Sequence, residues 1–184
     1  MEVIERDNIN SIKTNYPGHS TFMRRPENPN IRANIAQAFL RNNPAVVFDF
    51  QFEHLNVYEK SLRSLLMQIT QAYGANARSF DPFRLYFTSF KKDGKFNSAM
   101  EDRNINIDDL MVVDSEKSYL DLFPKEKLIY LSPNSKNEMQ EVDEDKVYII
   151  GVLSDEREKS PHTYNQARLE GIKTERFPIE KYVR

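Results

Sequence analysis

The stretch Val147-Tyr148-Ile149-Ile150-Gly151-Val152-Leu153-Ser154-Asp155 decides how this chain is read. Its first residues are mostly β-branched or aromatic, a glycine ends the run and an aspartate follows. That is the pattern of a buried strand opening into a turn. A carboxylate at the mouth of such a strand is placed to do chemistry. Two units of the same kind flank it, Leu128-Ile129-Tyr130-Leu131-Ser132-Pro133-Asn134-Ser135 before and Ile172-Lys173-Thr174-Glu175-Arg176-Phe177-Pro178-Ile179 after. Three strand ends are therefore expected to converge on one pocket.

Upstream, Ala45-Val46-Val47-Phe48-Asp49-Phe50 is nearly continuous in apolar residues, as in a parallel strand covered on both faces. Asp49 at its end reads as a local hydrogen-bonding group. Leu62, Leu65, Leu66, Ile69 and Tyr73 recur at helical spacing, with Gly74 expected just past the helix end. Arg84-Leu85-Tyr86-Phe87-Thr88 is the next strand, so strand, helix and strand form a right-handed crossover. A short helix around Asn97 to Asp102, a third strand at Leu110 to Val113 and an aromatic-rich turn at Tyr119 to Pro124 follow. A short helix is expected near Glu138 to Val142. Thr163 with Gln166 reads as a capping box opening a helix that Gly171 stops, before a last strand at Lys173 to Phe177. The alternation predicts an α/β fold, a mostly parallel sheet with flanking helices.

Residues 1–43 read as an N-terminal extension. It carries one short helix, capped by Asn30, with Ile31, Ile35, Ala38 and Phe39 on a face; residues 44–184 form the main domain. In the extension, Arg24 and Arg25 read as solvated residues of a tail. The first residues are acidic and have no apolar run, unlike a secretory signal.

Composition narrows the chemistry. The chain of 184 residues has no cysteine, which removes thiolate catalysis and Cys-based zinc sites. His19, His54 and His162 lack ligand spacing, so no metal is expected. The net charge of −2 lacks the broad basic signature of a self-sufficient nucleic-acid binder, so RNA contact would use a local patch or a partner. No G-x-G-x-x-G, phosphate loop or G-x-S-x-G elbow can be written from the five scattered glycines. A ligand would be held by strand-end amides, carbonyls and apolar walls.

Several blocks carry a resemblance: Pro44 to Tyr73, Asp81 to Ser89, Tyr130 to Ser135, Asp143 to Gly151 and Phe177 to Tyr182. In this order they resemble the tRNA purine-9 N1-methyltransferase family. The segment Glu116 to Lys125 further resembles the branch that serves as methyltransferase subunit of animal mitochondrial ribonuclease P. The resemblance implies a SPOUT-type fold with a C-terminal trefoil knot, incomplete in this chain because the family's C-terminal helix would follow Arg184. It implies S-adenosylmethionine bound against Leu131, Ser132 and Pro133, then Gly151 and Leu153, then Thr174, Phe177, Pro178 and Ile179. Asp155 matches the carboxylate proposed to receive or orient the N1 proton, and Asn76 and Arg78 match positions facing tRNA.

Val152 stands where relatives have a second glycine, and is expected to narrow the pocket. The expected partners are tRNA and pre-tRNA, a short-chain dehydrogenase subunit and a metallonuclease subunit, in the mitochondrial matrix and without membrane contact. The competing expectation is a non-catalytic platform that holds pre-tRNA for cleavage.

Overall fold

A computed structural model describes residues 29–154 and 161–182. The strands, all parallel, are β1 (Ala45–Asp49), β2 (Arg84–Thr88), β3 (Val113–Asp114), β4 (Leu128–Leu131), β5 (Val147–Gly151) and β6 (Lys173–Glu175), in the sheet order β3-β2-β1-β5-β4-β6. The helices are α1 (Pro29–Leu40), α2 (Glu59–Ala77), α3 (Lys95–Glu101), α4 (Tyr119–Leu122), α5 (His162–Glu170) and α6 (Ile179–Tyr182). β5 is the opening stretch of the sequence. It sits between β1 and β4, with Asp49 opposite Gly151 and Leu131 opposite Ile150.

Alternation along the central strands sorts side chains into two cores. Phe48 of β1 points to the face covered by α1, α2 and α3, with Ile35, Leu66, Phe87, Phe96 and Met100. Val47 points to the other face, covered by α4 and α5, with Tyr119, Tyr130, Ile149 and Ala167. Both faces are dry, which is why these strands read as continuous apolar runs rather than as alternating ones. Each such Leu, Ile or Phe contributes about 1.5–3 kcal/mol on burial.

Several local expectations change in the folded chain. α1 begins at Pro29, so Asn30 lies inside it rather than capping it; Ile35 and Ala38 face the core as expected, and the Ile31 side chain lies outside the described residues. Asn42, in the left-handed region at φ 56°, helps end the helix. α2 runs past Gly74 to Ala77, because the last turn buries Ala77 and lets Asn76 fasten the lead-in to β2. Of the third strand only Val113–Asp114 pairs with β2; Leu110 is buried in a turn and the Met111 amide donates to the Tyr73 hydroxyl at 3.1 Å. The aromatic turn is the short helix α4, closed by a capping box between Ser118 and Asp121.

No helix forms at Glu138 to Val142. The backbone there pairs with the chain after β6 instead: Arg176 donates its amide to the Asn137 carbonyl at 2.8 Å, and Met139 donates to the Arg176 carbonyl at 3.0 Å. α5 starts at His162 without the expected capping box. The Thr163 hydroxyl is used across the cleft described below, and Gln166 binds Glu170. Gly171 ends α5 at φ 65°, with the Ile172 amide reaching back to the Ala167 carbonyl at 2.8 Å. The knot expectation turns on residues 155–160 and on the chain end at 183–184, which lie outside the described residues.

Candidate functional site

β4, β5 and β6 run side by side with their carboxyl ends at one edge of the sheet, and a cleft of about 430 Å³ opens there. Ligands of open α/β sheets bind at that edge, because the loops leave the strands there and expose backbone amides and carbonyls. The cleft is lined by Leu131, Ser132 and Pro133 at the end of β4, by Gly151 and Leu153 at the end of β5, and by Phe177, Pro178 and Ile179 after β6. The convergence expected of three distant strand ends is therefore present in the fold.

One of the anticipated lining residues is absent. Thr174 is buried inside β6, with its hydroxyl 3.0 Å from the Ser135 hydroxyl, so it ties the β4 loop to β6 from behind the cleft. Val152 does not narrow the cleft either. It is 3% exposed and points into the core beneath α2, because the residue after Gly151 alternates to the opposite face. Asp155 lies outside the described residues, one position beyond Ser154.

Asn76 and Arg78 stand elsewhere. They close α2, which runs back from the carboxyl end of β1 to the amino end of β2, so they sit at the sheet edge opposite the cleft. Both ends of the Asn76 amide are used by Phe83: its Nδ2 donates to the Phe83 carbonyl at 2.9 Å and its Oδ1 accepts the Phe83 amide at 2.8 Å. Buried at 9% exposure, Asn76 holds the turn into β2 rather than facing outward.

The folded chain adds residues that sequence reading missed. His162 and Thr163, the first residues of α5, line the cleft, and the Thr163 hydroxyl donates to Ser132 Oγ at 3.0 Å, joining the α5 and β4 walls. Gly151 makes that approach possible: a Cβ there would fall 2.6 Å from Thr163 Cγ2 and 3.0 Å from the Tyr130 hydroxyl. A helix that opens directly after a strand-end loop was the available signal for these two residues. At the mouth, Glu138 binds both Arg176, at 3.3 Å, and Lys181. The hydrogen bonds from Lys181 and then Arg176 hold its carboxyl below the ordinary range. The three charges fasten the β4 loop, the end of β6 and α6 around the opening.

Beneath Gly151 lies a buried polar network. Asp49, with no exposed surface, accepts from the Tyr130 hydroxyl at 2.9 Å and from Gln51 Nε2 at 2.5 Å. Gln51 also reaches the Tyr119 hydroxyl at 3.2 Å, and Tyr119 donates to Glu170 at 2.5 Å. Burial pushes Asp49 above the usual carboxylate range and pushes both tyrosines upward. The network secures the floor of the cleft against α4 and α5.

These features define a class: a parallel α/β domain whose ligand cleft is assembled by three strand-end loops, with mainly apolar walls and no glycine-rich phosphate cradle. Known proteins share it. The chain belongs to the family described as tRNA (guanine(9)-N(1))-methyltransferase TRM10/TRM10A, whose model matches residues 6–184.

Among similar proteins are tRNA methyltransferase 10 homolog C of Homo sapiens, 35% identical over 80% of this chain, and homolog B of Homo sapiens, 32% identical over 86%. The chain spans 36% and 54% of the length of these two relatives. The crystal structure of full-length spTrm10 in complex with SAH is 34% identical, with a TM-score of 0.64 over 77% of this chain and 81% of that one. A dual-specific Trm10 from Thermococcus kodakaraensis, 20% identical over 73% of this chain and 76% of that one, shares the fold at a TM-score of 0.54. The fold is that of the SPOUT-type Trm10 methyltransferases.

Proposed function

We propose that this chain transfers a methyl group from S-adenosylmethionine to N1 of the purine at position nine of tRNA, as a subunit of mitochondrial ribonuclease P in the matrix. The observation that carries the enzyme reading is the cleft itself. Eight of the nine residues that the family resemblance implies for the cofactor, from Leu131 at the end of β4 to Ile179 after β6, line one cavity at the ends of β4, β5 and β6. A spTrm10 structure holding SAH over the same fold supports it.

The residues present suit such a cofactor. Leu131, Pro133, Phe177, Pro178 and Ile179 offer apolar walls to a flat base, while strand-end backbone groups meet its polar edges. When bound, the cofactor supplies an activated methyl on a sulfonium, which calls for neither a metal nor a covalent enzyme intermediate. The chain's own work is positioning: donor and target held in line account for a large part of the rate. Asp155 takes the proton that guanine N1 has to lose, whereas adenine N1 already presents a lone pair. The acidic balance of the chain fits an enzyme that meets tRNA together with partner subunits, a short-chain dehydrogenase and a metallonuclease. The resemblance of Glu116 to Lys125 to the mitochondrial branch supports that assignment.

The test combines the chain, its two partner subunits, an unmodified mitochondrial tRNA and methyl-labelled cofactor. Label at position nine is expected, with faster 5′ cleavage of pre-tRNA when this chain is included. Absence of label sinks the enzyme reading. Pre-tRNA binding and cleavage without any cofactor binding would instead establish the platform reading. Activity that is indifferent to both partner subunits would remove the ribonuclease P assignment while leaving the methyltransferase in place.

A further inference from the structure

One side chain grips the turn after β5 from both sides. Asn56 follows the short turn Glu53–Leu55 beyond β1 and is 2% exposed. Its Nδ2 donates to the Val152 carbonyl at 3.0 Å and to the Phe52 carbonyl at 3.4 Å, and its Oδ1 accepts the Ser154 amide at 3.0 Å. The two bonds to the β5 turn straddle Leu153, a wall of the cleft. Backbone partners hold two other amides of the turn, Val152 to the Asp49 carbonyl at 2.8 Å and Leu153 to the Gly151 carbonyl at 3.0 Å.

We infer that Asn56 is a positioning residue of the methyl-transfer site: by clamping Val152 and Ser154 it fixes the backbone of the β5 turn and sets Leu153 against the cofactor. The inference rests on the cofactor reading above. The chemistry explains the residue type. β1 has already turned away at this level, so a strand neighbour cannot serve, and the turn offers one acceptor and one donor on either side of a single residue. A carboxamide supplies a donor and an acceptor in one plane whatever the pH, and the short stem of Asn reaches from a tight turn. A carboxylate of the same shape would set an oxygen against the Val152 carbonyl; once protonated, it would donate there again.

The experiment measures S-adenosylmethionine binding by calorimetry for wild type and Asn56→Asp across a pH series, with thermal melts at each pH. The titratable groups on the described segments that meet here are Asp49, Glu53 and His54, so each variant value is divided by the wild-type value at the same pH to remove their titration. Near pH 8 the folded variant is expected to bind about tenfold more weakly or worse, the scale of losing a buried hydrogen bond. The deficit should close on acidification, as the buried carboxyl takes up a proton.

Wild-type-like affinity at pH 8, or a deficit that does not change with pH, overturns the clamp. Should Asn56→Asp fail to fold, hydrogen exchange on wild type decides: the Ser154 amide is expected to be protected, and more so with cofactor, whereas exchange at the rate of an open amide overturns the inference. Wild type that binds no cofactor at any pH brings down the cofactor reading and the inference with it; a wild type that binds beside an insensitive variant brings down the inference alone.

Discussion

The Tyr130 hydroxyl donates a 2.9 Å hydrogen bond to Asp49 beneath Gly151, and neither residue has measurable exposure to solvent. β1 and β4 are not neighbours in the sheet; this bond passes under β5 and joins them. Burial holds the Asp49 carboxyl above the ordinary range, opposed by hydrogen bonds from Gln51 and Tyr130. A carboxyl whose folded pKa is raised contributes stability that is complete below the unfolded value of about 3.9 and is lost as pH climbs through the folded value. Asn at this position does not titrate. The stability of wild type relative to Asp49→Asn is therefore expected to fall as pH rises from about 4, with a slope of at most about 1.4 kcal/mol per pH unit. Urea unfolding of both proteins over pH 4 to 8 measures it, and a flat difference would show that Asp49 titrates as an ordinary surface carboxyl.

Gly151→Ala should damage the cleft and the fold together. The new methyl would overlap Thr163 and press on the Tyr130 hydroxyl, so α5 has to move off the strand end. Overpacking of this kind costs about 1–3 kcal/mol. Thermal melts should show that loss, and calorimetry should show weaker cofactor binding, since Gly151 and Thr163 both line the cleft.

Gly171→Ala serves as the contrast. Its φ of 65° is left-handed, and a Cβ there would meet only the flexible Lys125 side chain, so the penalty is backbone strain of about 1–2 kcal/mol. The melting temperature should drop while cofactor affinity stays within twofold of wild type, because Gly171 lies at the far end of α5 from the cleft.

Asp155→Asn should depress methylation of guanine at position nine more than methylation of adenine. General-base contributions of about 10²–10⁴-fold set the scale for the guanine substrate. Single-turnover rates on two tRNAs differing only at that nucleotide measure the ratio, and equal losses on both would remove the proton-accepting role.

How far the sequence alone reaches depends on the kind of force involved. Runs such as Val46 to Phe50 and Val147 to Ile150 announce buried parallel strands, since exclusion of water from both faces leaves a local trace in residue type. The position of the cleft followed from those strands, because loops leaving carboxyl ends are where ligands sit. The family blocks then picked out lining residues that the structure does gather, from Leu131 to Ile179.

Other features were settled only by tertiary contact. Glu138 and its neighbours form no helix because their backbone groups pair with Arg176, far along the chain. Thr174, Val152 and Asn76 carry the right residue types for a site, yet strand alternation and internal hydrogen bonds turn them away from it. Asp49, Tyr130 and Asn56 gain their roles from partners 81 to 98 residues distant. A periodic pattern records which side chains avoid water. It cannot record which distant backbone group a buried amide or carboxyl will meet, because that pairing exists only once β5 has inserted between β1 and β4.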